Sequence, residues 1–546
     1  MITAADPKAA LRAEIVSAAR TVAGHDFSAE PKLDRPPKAE FGDFSSNAAM
    51  LIAPIVGEPP RKVAEALGEK VQERLGDQLE RVEVAGPGFL NLFMSDVWFR
   101  RTLAAAREAG ERFGSGTHKV LEKILIEFVS ANPTGPATVP TGRHAAYGDS
   151  LSRIFEFLGN VVEREYYVND FGSQVRRFGE SIQARARGEE PPSDGYQGEY
   201  VGELAARIEG AADADVDELA RRGVEEMVAG MRATLERFGV DMDRWFYEHS
   251  LHDAGAIDKA IELLREHGHV FESEGATWMR TTTFGDDKDR VLKRSTGEYT
   301  YYGADIAYHE DKRERGYDRV IDIWGADHHG YMARVHMAWK ALGGEPERFE
   351  ILIMQLVNLL ERGQRAQMSK RQGEFVTLDD LIDDIGVDAA RWFLLQRSHD
   401  TTLDLDLALA REQSQDNPVY YVQYAHARIA SIMRKIGSDR VAEAVAADLT
   451  DSSHSAPHPS ERALLKRVLE FPDEVAEAGA RRAPHRMTAY ALETARQFSA
   501  FYRDCKVDGA EAEGGDEDFR IVLSLQAQSV IARSLDLLGV SAPDHM

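Results

Sequence analysis

The stretch that decides the fold runs from Lys123 to Gln174: KILIEFVSANPTGPATVPTGRHAAYGDSLSRIFEFLGNVVEREYYVNDFGSQ. Ile124 to Val129 is a short run dense in β-branched residues and predicts a buried strand. Ser130 to Pro136 holds two prolines and a glycine, which stop strand and helix alike. From about Gly142 to Leu158, the apolar residues Ala146, Leu151, Ile154, Phe155 and Leu158 recur at helical spacing. Strand, tight polar loop and helix N-terminus is the arrangement that turns backbone N–H groups toward a nucleotide phosphate. The same pattern also describes a βα unit that only carries a sheet, and this stretch alone leaves both open.

Working outward, 546 residues are too many for one core and predict about two to four domains. The apolar fraction of 43% and charged fraction of 29% are those of a soluble globular chain. No apolar run reaches the ~20 residues of a membrane helix. The opening MITAADPKAALRAE has neither a basic start nor an apolar core, so no signal peptide and a cytoplasmic location are expected. The one cysteine, Cys505, rules out intrachain disulfides and cysteine-cluster metal sites. A formal net charge of −26 argues against a general nucleic-acid binder and against DNA, but leaves room for an RNA held by local basic patches.

In chain order, residues 1 to about 115 predict a separate α/β domain, with a turn at Gly86-Pro87-Gly88 between apolar halves. Gly188 to Tyr200, rich in Pro, Gly and acids, predicts the start of an insertion that runs to about 294. It holds helices at Leu204 to Phe238 and Ala256 to His267, and a strand–turn–strand at Gly275 to Arg294 that turns at Gly285-Asp286-Asp287. Strands are expected at Arg319 to Trp324 and Phe349 to Val357, a loop at Glu361 to Gly373, and a helix at Leu378 to Leu395. From Asp416 onward the chain predicts helices, with a loop from Ala442 to Pro459. Two βα halves around an insertion fit an open parallel sheet that binds its ligand at the strand C-termini.

EFVSANPTGP, GRxAAYGD and YYVNDxG, in that order, resemble the nucleotide-binding stretch of arginyl-tRNA synthetases, a class I family, and the resemblance extends in domain order over essentially the whole chain. It implies an α/β multidomain fold. A Rossmann-type parallel-sheet catalytic domain at 116–412 would follow an N-terminal extension at 1–115 that touches the tRNA elbow and precede an all-α anticodon-binding domain at 413–546. It implies ATP-dependent formation of arginyl-adenylate and transfer of arginine to tRNA(Arg). ATP would enter with Mg²⁺, without a tightly bound cofactor, resident metal or membrane, and the enzyme would act as a monomer.

The resemblance also assigns residues. Glu127, Ser130, Asn132, Tyr301, Asp305 and His328 fall on arginine-pocket positions, where carboxylates suit a planar guanidinium. Gly142, Gly325, Asp327 and Met368 fall on ATP positions, and Gly325-Ala326-Asp327-His328 resembles the class I Gly-x-Asp-Gln pattern. Ser369 and Lys370 close a Lys-Met-Ser-Lys-like loop that begins here with Gln367, and Lys370 would neutralise pyrophosphate charge. His328 and His329, expected on one strand, would point to opposite faces and make poor joint metal ligands. Tyr420, Arg428 and Arg434 are the candidates for RNA contact, with Tyr421 and Tyr424 expected in the core.

One motif departs. The class I signature His-x-Gly-His falls in register on Thr138-Val139-Pro140-Thr141, so Thr138 and Thr141 take the catalytic histidine positions. Threonine hydroxyls donate hydrogen bonds but add no positive charge, and Pro140 removes a backbone N–H. Slow or absent activation is therefore expected. The alternative function is that of a weakened paralogue that binds arginine or tRNA as a regulatory protein.

Overall fold

The structure, a computed structural model, describes residues 6–24, 30–36, 38–116, 120–365, 376–450 and 456–546. In the N-terminal part, helices Pro7–Ala23, Ala48–Val56 and Pro60–Leu75 accompany a four-stranded antiparallel sheet. Its strands Leu79–Ala85 and Phe89–Met94 pair across the expected Gly86-Pro87-Gly88 turn, where Gly86 (φ 52°) and Gly88 (φ 145°) take conformations open to glycine.

The catalytic part is built on β1 (Lys123–Glu127), α1 (Val139–Phe157), β2 (Val161–Val168), β3 (Arg244–Tyr247), α2 (Tyr301–Glu314), β4 (Arg319–Gly325) and β5 (Phe349–Met354). The five strands form one parallel sheet in the order β5-β4-β1-β2-β3. After it come α3 (Leu378–Leu395), opened by a Thr377/Asp380 capping box, and α4 (Pro418–Ile436), the first long helix of the helical C-terminal part.

Three expectations need correction. The stretch 188–294 is not wholly an insertion, because it contains β3, which pairs with β2 from Glu165↔Arg244 to Val168↔Tyr247. This four-residue edge strand has no aliphatic run. Its cross-strand contacts are aromatic, with Tyr166 on Trp245 at 4.4 Å and Tyr167 on Phe246 at 6.0 Å. The single strand expected at Phe349 to Val357 is two, since β5 ends at Met354 and Val357–Glu361 joins another sheet beside Leu403–Asp406. The break falls where Arg143 donates to the carbonyls of Gln355 (2.7 Å) and Leu356 (3.3 Å). Finally, helix Ser438–Ala446 occupies the start of the loop expected from Ala442.

The GRxAAYGD motif turns out to be fastening. A Cβ on Gly148 would lie 2.2 Å from the Phe128 ring, so only glycine lets α1 cross the end of β1 this closely. Arg143 also donates to the carbonyls of Ser398 and Thr401, both at 2.9 Å. Asp149 accepts from the fully buried Arg391 on α3 at 2.5 Å, and Arg391 donates onward to the carbonyls of Phe238 (3.1 Å) and Leu538 (2.8 Å). One guanidinium thus ties α1, the end of the helix that closes at Arg237 and the C-terminal residues together.

Beneath the site lies a row of charge. Asp322 on β4, Glu127 on β1 and Glu165 on β2 are register partners across three neighbouring strands, and all three are buried. Helix α2 covers them with one face: the fully buried Lys312 donates to Glu127 (2.5 Å) and Asp322 (2.7 Å), and Arg315 to Glu165 (2.5 and 2.9 Å). Burial pulls the Lys312 ammonium down, but the carboxylates more than offset it and hold it above the ordinary lysine range. Lys312→Met should therefore strand two buried carboxylates and cost about 3–5 kcal/mol. A thermal melt checks this, with a large drop in midpoint expected, and an unchanged midpoint would show that the row is balanced without Lys312.

Candidate active site

Where β1 ends, Val129 (φ 72°) and Ser130 (φ 39°) adopt left-handed conformations that non-glycine residues rarely take. The turn is held by Ser130 Oγ, which donates to Glu127 Oε1 at 2.6 Å and accepts from the Tyr167 N–H at 3.1 Å. Beside this strained turn lies a small cavity of about 110 Å³, between the ends of the central strands and the first turns of α2. Glu127, Ser130, Tyr301, Asp305 and His328 all line it, as do Tyr308 and Tyr331. Thr300 caps α2 by accepting from the Gly303 N–H, which sets Tyr301 at the mouth and Asp305 one turn inside.

Asp305 does not cap that helix. Its carboxyl accepts a hydrogen bond from the Tyr331 hydroxyl. Burial pushes its pKa up to about 6, against the pull of the Tyr331 hydrogen bond and His309. Glu248, which follows β3, is likewise pushed up to about 7 by burial, against the pull of a Tyr167 hydrogen bond, with Asp305 and Asp170 adding repulsion. An acid raised in the folded state favours folding below its unfolded pKa, and that contribution is lost as pH rises through its folded value. Asp305 therefore works against folding above about pH 6 until a cation enters. Asp305 in the cavity, with tyrosines at its wall and Glu248 lining the adjoining cleft, suits a planar cation with several donors.

The cavity opens into a cleft of about 1200 Å³ across the strand C-termini. Asn132, Thr141, Gly325, Asp327 and His328 line it, facing Arg294, Glu298 and Tyr299. Asn132 donates to Gln174 at 3.3 Å. A Cβ on Gly325 would meet the end of the exposed Asp327 carboxylate at 2.6 Å, a side chain that can swing aside. Asp327 and His328 lie in a short 3₁₀ turn after β4 and not on a strand, which corrects the basis for setting His328 and His329 apart. Among the described residues no group of three or more His, Cys, Asp or Glu could hold a metal ion.

At the altered signature, Thr138 is the N-cap of α1. Its N–H donates to Thr141 Oγ at 3.2 Å, and the two hydroxyls lie 3.1 Å apart. Pro140 sits in the first turn, where a helix loses no internal hydrogen bond to proline; what goes is one N–H that could face a phosphate. Gly142 does not reach the cleft. It is buried, and a Cβ there would lie 2.6 Å from Leu378 on α3, so its lack of a side chain serves packing. Gln367, Met368, Ser369 and Lys370 lie outside the described residues.

On α4, Tyr420 and Tyr424 stack at 6.3 Å, and Arg428 lies over Tyr424 (5.9 Å) and Tyr502 (4.5 Å). Tyr421 packs on the core as expected, with its hydroxyl on Ser499. Tyr424 does not: it is 38% exposed, because its turn of α4 faces away from the bundle. Arg434 is bound to the Asp544 carbonyl at 3.3 Å.

Glu248, Tyr331 and Tyr167 were not legible as site residues, since each comes from an element brought to the pocket by sheet pairing or helix packing. The one signal for Glu248 was its place after an aromatic tetrapeptide that is in fact a strand.

A parallel sheet with a nucleotide-sized cleft at its strand ends, followed by a helical domain, is the architecture of a class I aminoacyl-tRNA synthetase. Residues 8–94 match the arginyl tRNA synthetase N terminal domain, residues 207–428 the class I (R) tRNA synthetase catalytic domain, and residues 422–546 the DALR anticodon binding domain. None of the three matches includes the altered signature. An arginine–tRNA ligase of Geobacillus thermodenitrificans is 44% identical over 95% of this chain and 94% of its own. One of Kineococcus radiotolerans is 43% identical over 100% of both. The arginyl-tRNA synthetase structure of Thermus thermophilus superposes with a TM-score of 0.76 over 98% of this chain and 100% of that one, and at 23% identity it supports the fold alone. The chain belongs to the arginyl-tRNA synthetase family. Among the described residues no helix is long and apolar enough to cross a membrane.

The pocket makes a titration prediction. Tyr331→Phe removes a hydrogen bond that stabilises the Asp305 carboxylate, so the Asp305 pKa should rise further above about 6. Carboxyl-labelled NMR can follow it, and a fall on this substitution would contradict the assigned role of Tyr331.

Proposed function

We propose that the chain is an arginine–tRNA ligase, with arginine held in the Asp305 cavity and ATP, as its Mg²⁺ complex, in the adjoining cleft. The carrying observation is that a carboxylate-floored cavity opens directly onto the cleft at the strand ends. The guanidinium of arginine pairs with Asp305 beside Tyr301, and its α-carboxylate is left facing the cleft. That carboxylate attacks the α-phosphorus and pyrophosphate leaves; a terminal ribose hydroxyl of tRNA(Arg) then attacks the adenylate carbonyl and AMP leaves. No side chain becomes covalently bound. The protein positions the reactants and stabilises charge. Gly325 and Asp327 border the nucleotide, and the Met368-Ser369-Lys370 loop takes pyrophosphate charge.

The half-buried Tyr420 with the exposed Tyr424 and Arg428 forms a stacking surface for unpaired bases, while Arg434, spent on the C-terminal tail, contributes less than expected from its spacing. The chain acts as a monomer in the cytoplasm. The regulatory alternative has no observation in its favour.

Aminoacylation of tRNA(Arg) with labelled arginine tests this function directly. Asp305→Ala should weaken arginine binding roughly hundredfold, about 3 kcal/mol for a lost hydrogen-bonded charge pair, and leave ATP binding nearly unchanged. Calorimetry with each ligand checks it; equal losses would place the arginine pocket elsewhere. Tyr420→Ala should cost about 1–3 kcal/mol of tRNA affinity, measured by filter binding at fixed salt. A point substitution is the right probe, because deleting the C-terminal part would uncover the packing of Gly479 on Leu158 and remove the Leu538 partner of Arg391.

A further inference from the structure

Of the residues of α1, Pro140, Thr141 and His144 line the nucleotide cleft. Their spacing of three and four residues puts them on one face of the helix. The rest of the motif faces inward: Gly142 onto Leu378, Arg143 onto the strand-end carbonyls, Gly148 onto Phe128 and Asp149 onto Arg391. The hydroxyls of Thr138 and Thr141 are engaged with each other at the helix cap.

His144 is different. Its Nδ1 is shut off from solvent and has no hydrogen-bond partner in the protein. The ring faces the Ile323 carbonyl on β4, with Arg143, Asp327 and His328 as its charged surroundings. Nδ1 is thus closed to a ligand, on a ring that also lies within hydrogen-bonding reach of the Ile323 carbonyl, and what the residue can offer the cleft it lines is its other ring nitrogen. For packing alone, an apolar ring would serve better.

We propose that His144 is an ATP-binding residue, its imidazole donating to the triphosphate in place of the two imidazoles that positions 138 and 141 lack. The inference rests on the ligase function above. His144 sits one helical turn beyond Thr141 on the same face, so the donor has moved along the helix while the cleft it serves has stayed. Burial, with Arg143 adding to it, holds the ring neutral in the free protein, down to about 4. An arriving polyanion favours its protonation, and the imidazolium then has an N–H on each nitrogen, one of them free to donate to the phosphates.

The test compares the parent chain with His144→Ala, His144→Phe, which keeps a ring but no donor, and His144→Ala combined with Thr141→His. Arginine-dependent pyrophosphate exchange should fall about a hundredfold in both single variants, the usual effect of losing one preorganised donor. ATP affinity by calorimetry should fall roughly tenfold and arginine affinity should not change. Thr141→His should recover at least about tenfold of the lost exchange, because it returns an imidazole to the same helix face. A merely structural histidine would not be rescued in this way. Parental exchange and ATP affinity in His144→Phe, or no recovery by Thr141→His in a folded double variant, overturns the proposal. Calorimetry with ATP alone separates it from the ligase function. A parent chain that binds ATP through His144 yet exchanges no pyrophosphate refutes the ligase and upholds His144; ATP affinity indifferent to His144 refutes His144 whatever the exchange.

Discussion

Lys312 between Glu127 and Asp322 is the interaction on which the site depends. Parallel pairing brings three carboxylates side by side at the C-terminal half of the sheet, and without a cation from α2 they would repel across neighbouring strands. Neutralising them fixes the rotation of α2 about its axis. Tyr308 and His309 lie three and four residues after Asp305 and four and three before Lys312, so the turn that buries Lys312 also sends Asp305 into the pocket. Glu127 serves both ends, taking Lys312 on one oxygen and Ser130 on the other. The strained turn at Val129 and Ser130 is thus held by the same carboxylate that anchors the helix.

The acids at the open end have no such partner. Asp305 and Glu248 are desolvated as much as they are paired, and both resist ionisation. A cation with a delocalised charge and several donors would relieve that cost at Asp305, which a singly pointed ligand would relieve only in part. The site is built to be incomplete without its substrate.

Helix α1 shows how a motif divides its work. Its glycines, Arg143 and Asp149 hold elements far apart in the chain, and the altered signature residues are absorbed into the helix cap. The cap is sound as helix chemistry, since Thr at the N-cap and Pro in the first turn are favoured there. The two threonine hydroxyls are turned to each other, and His144, one turn along the same face, lines the cleft.

The sequence by itself determined the elements whose period and punctuation are local. The strand opening at Lys123, the strand at Arg319, and the helix from Leu378 to Leu395 with its capping threonine all stand where patterning put them. The family followed from motif order, and the Tyr301/Asp305 pair lies in one pocket as its register implied. Tertiary structure decided which side of each element faces the ligand. Gly142 was legible as a motif glycine, but only Leu378, distant in sequence, shows that it packs and does not bind. Strand β3 has no aliphatic pattern because its neighbours supply aromatic faces, and Glu248 reaches the pocket only because β3 pairs there. The reason is physical: local sequence sets the repeat of a helix or strand, whereas the rotation of that element is fixed by charges and side chains brought against it from elsewhere in the chain.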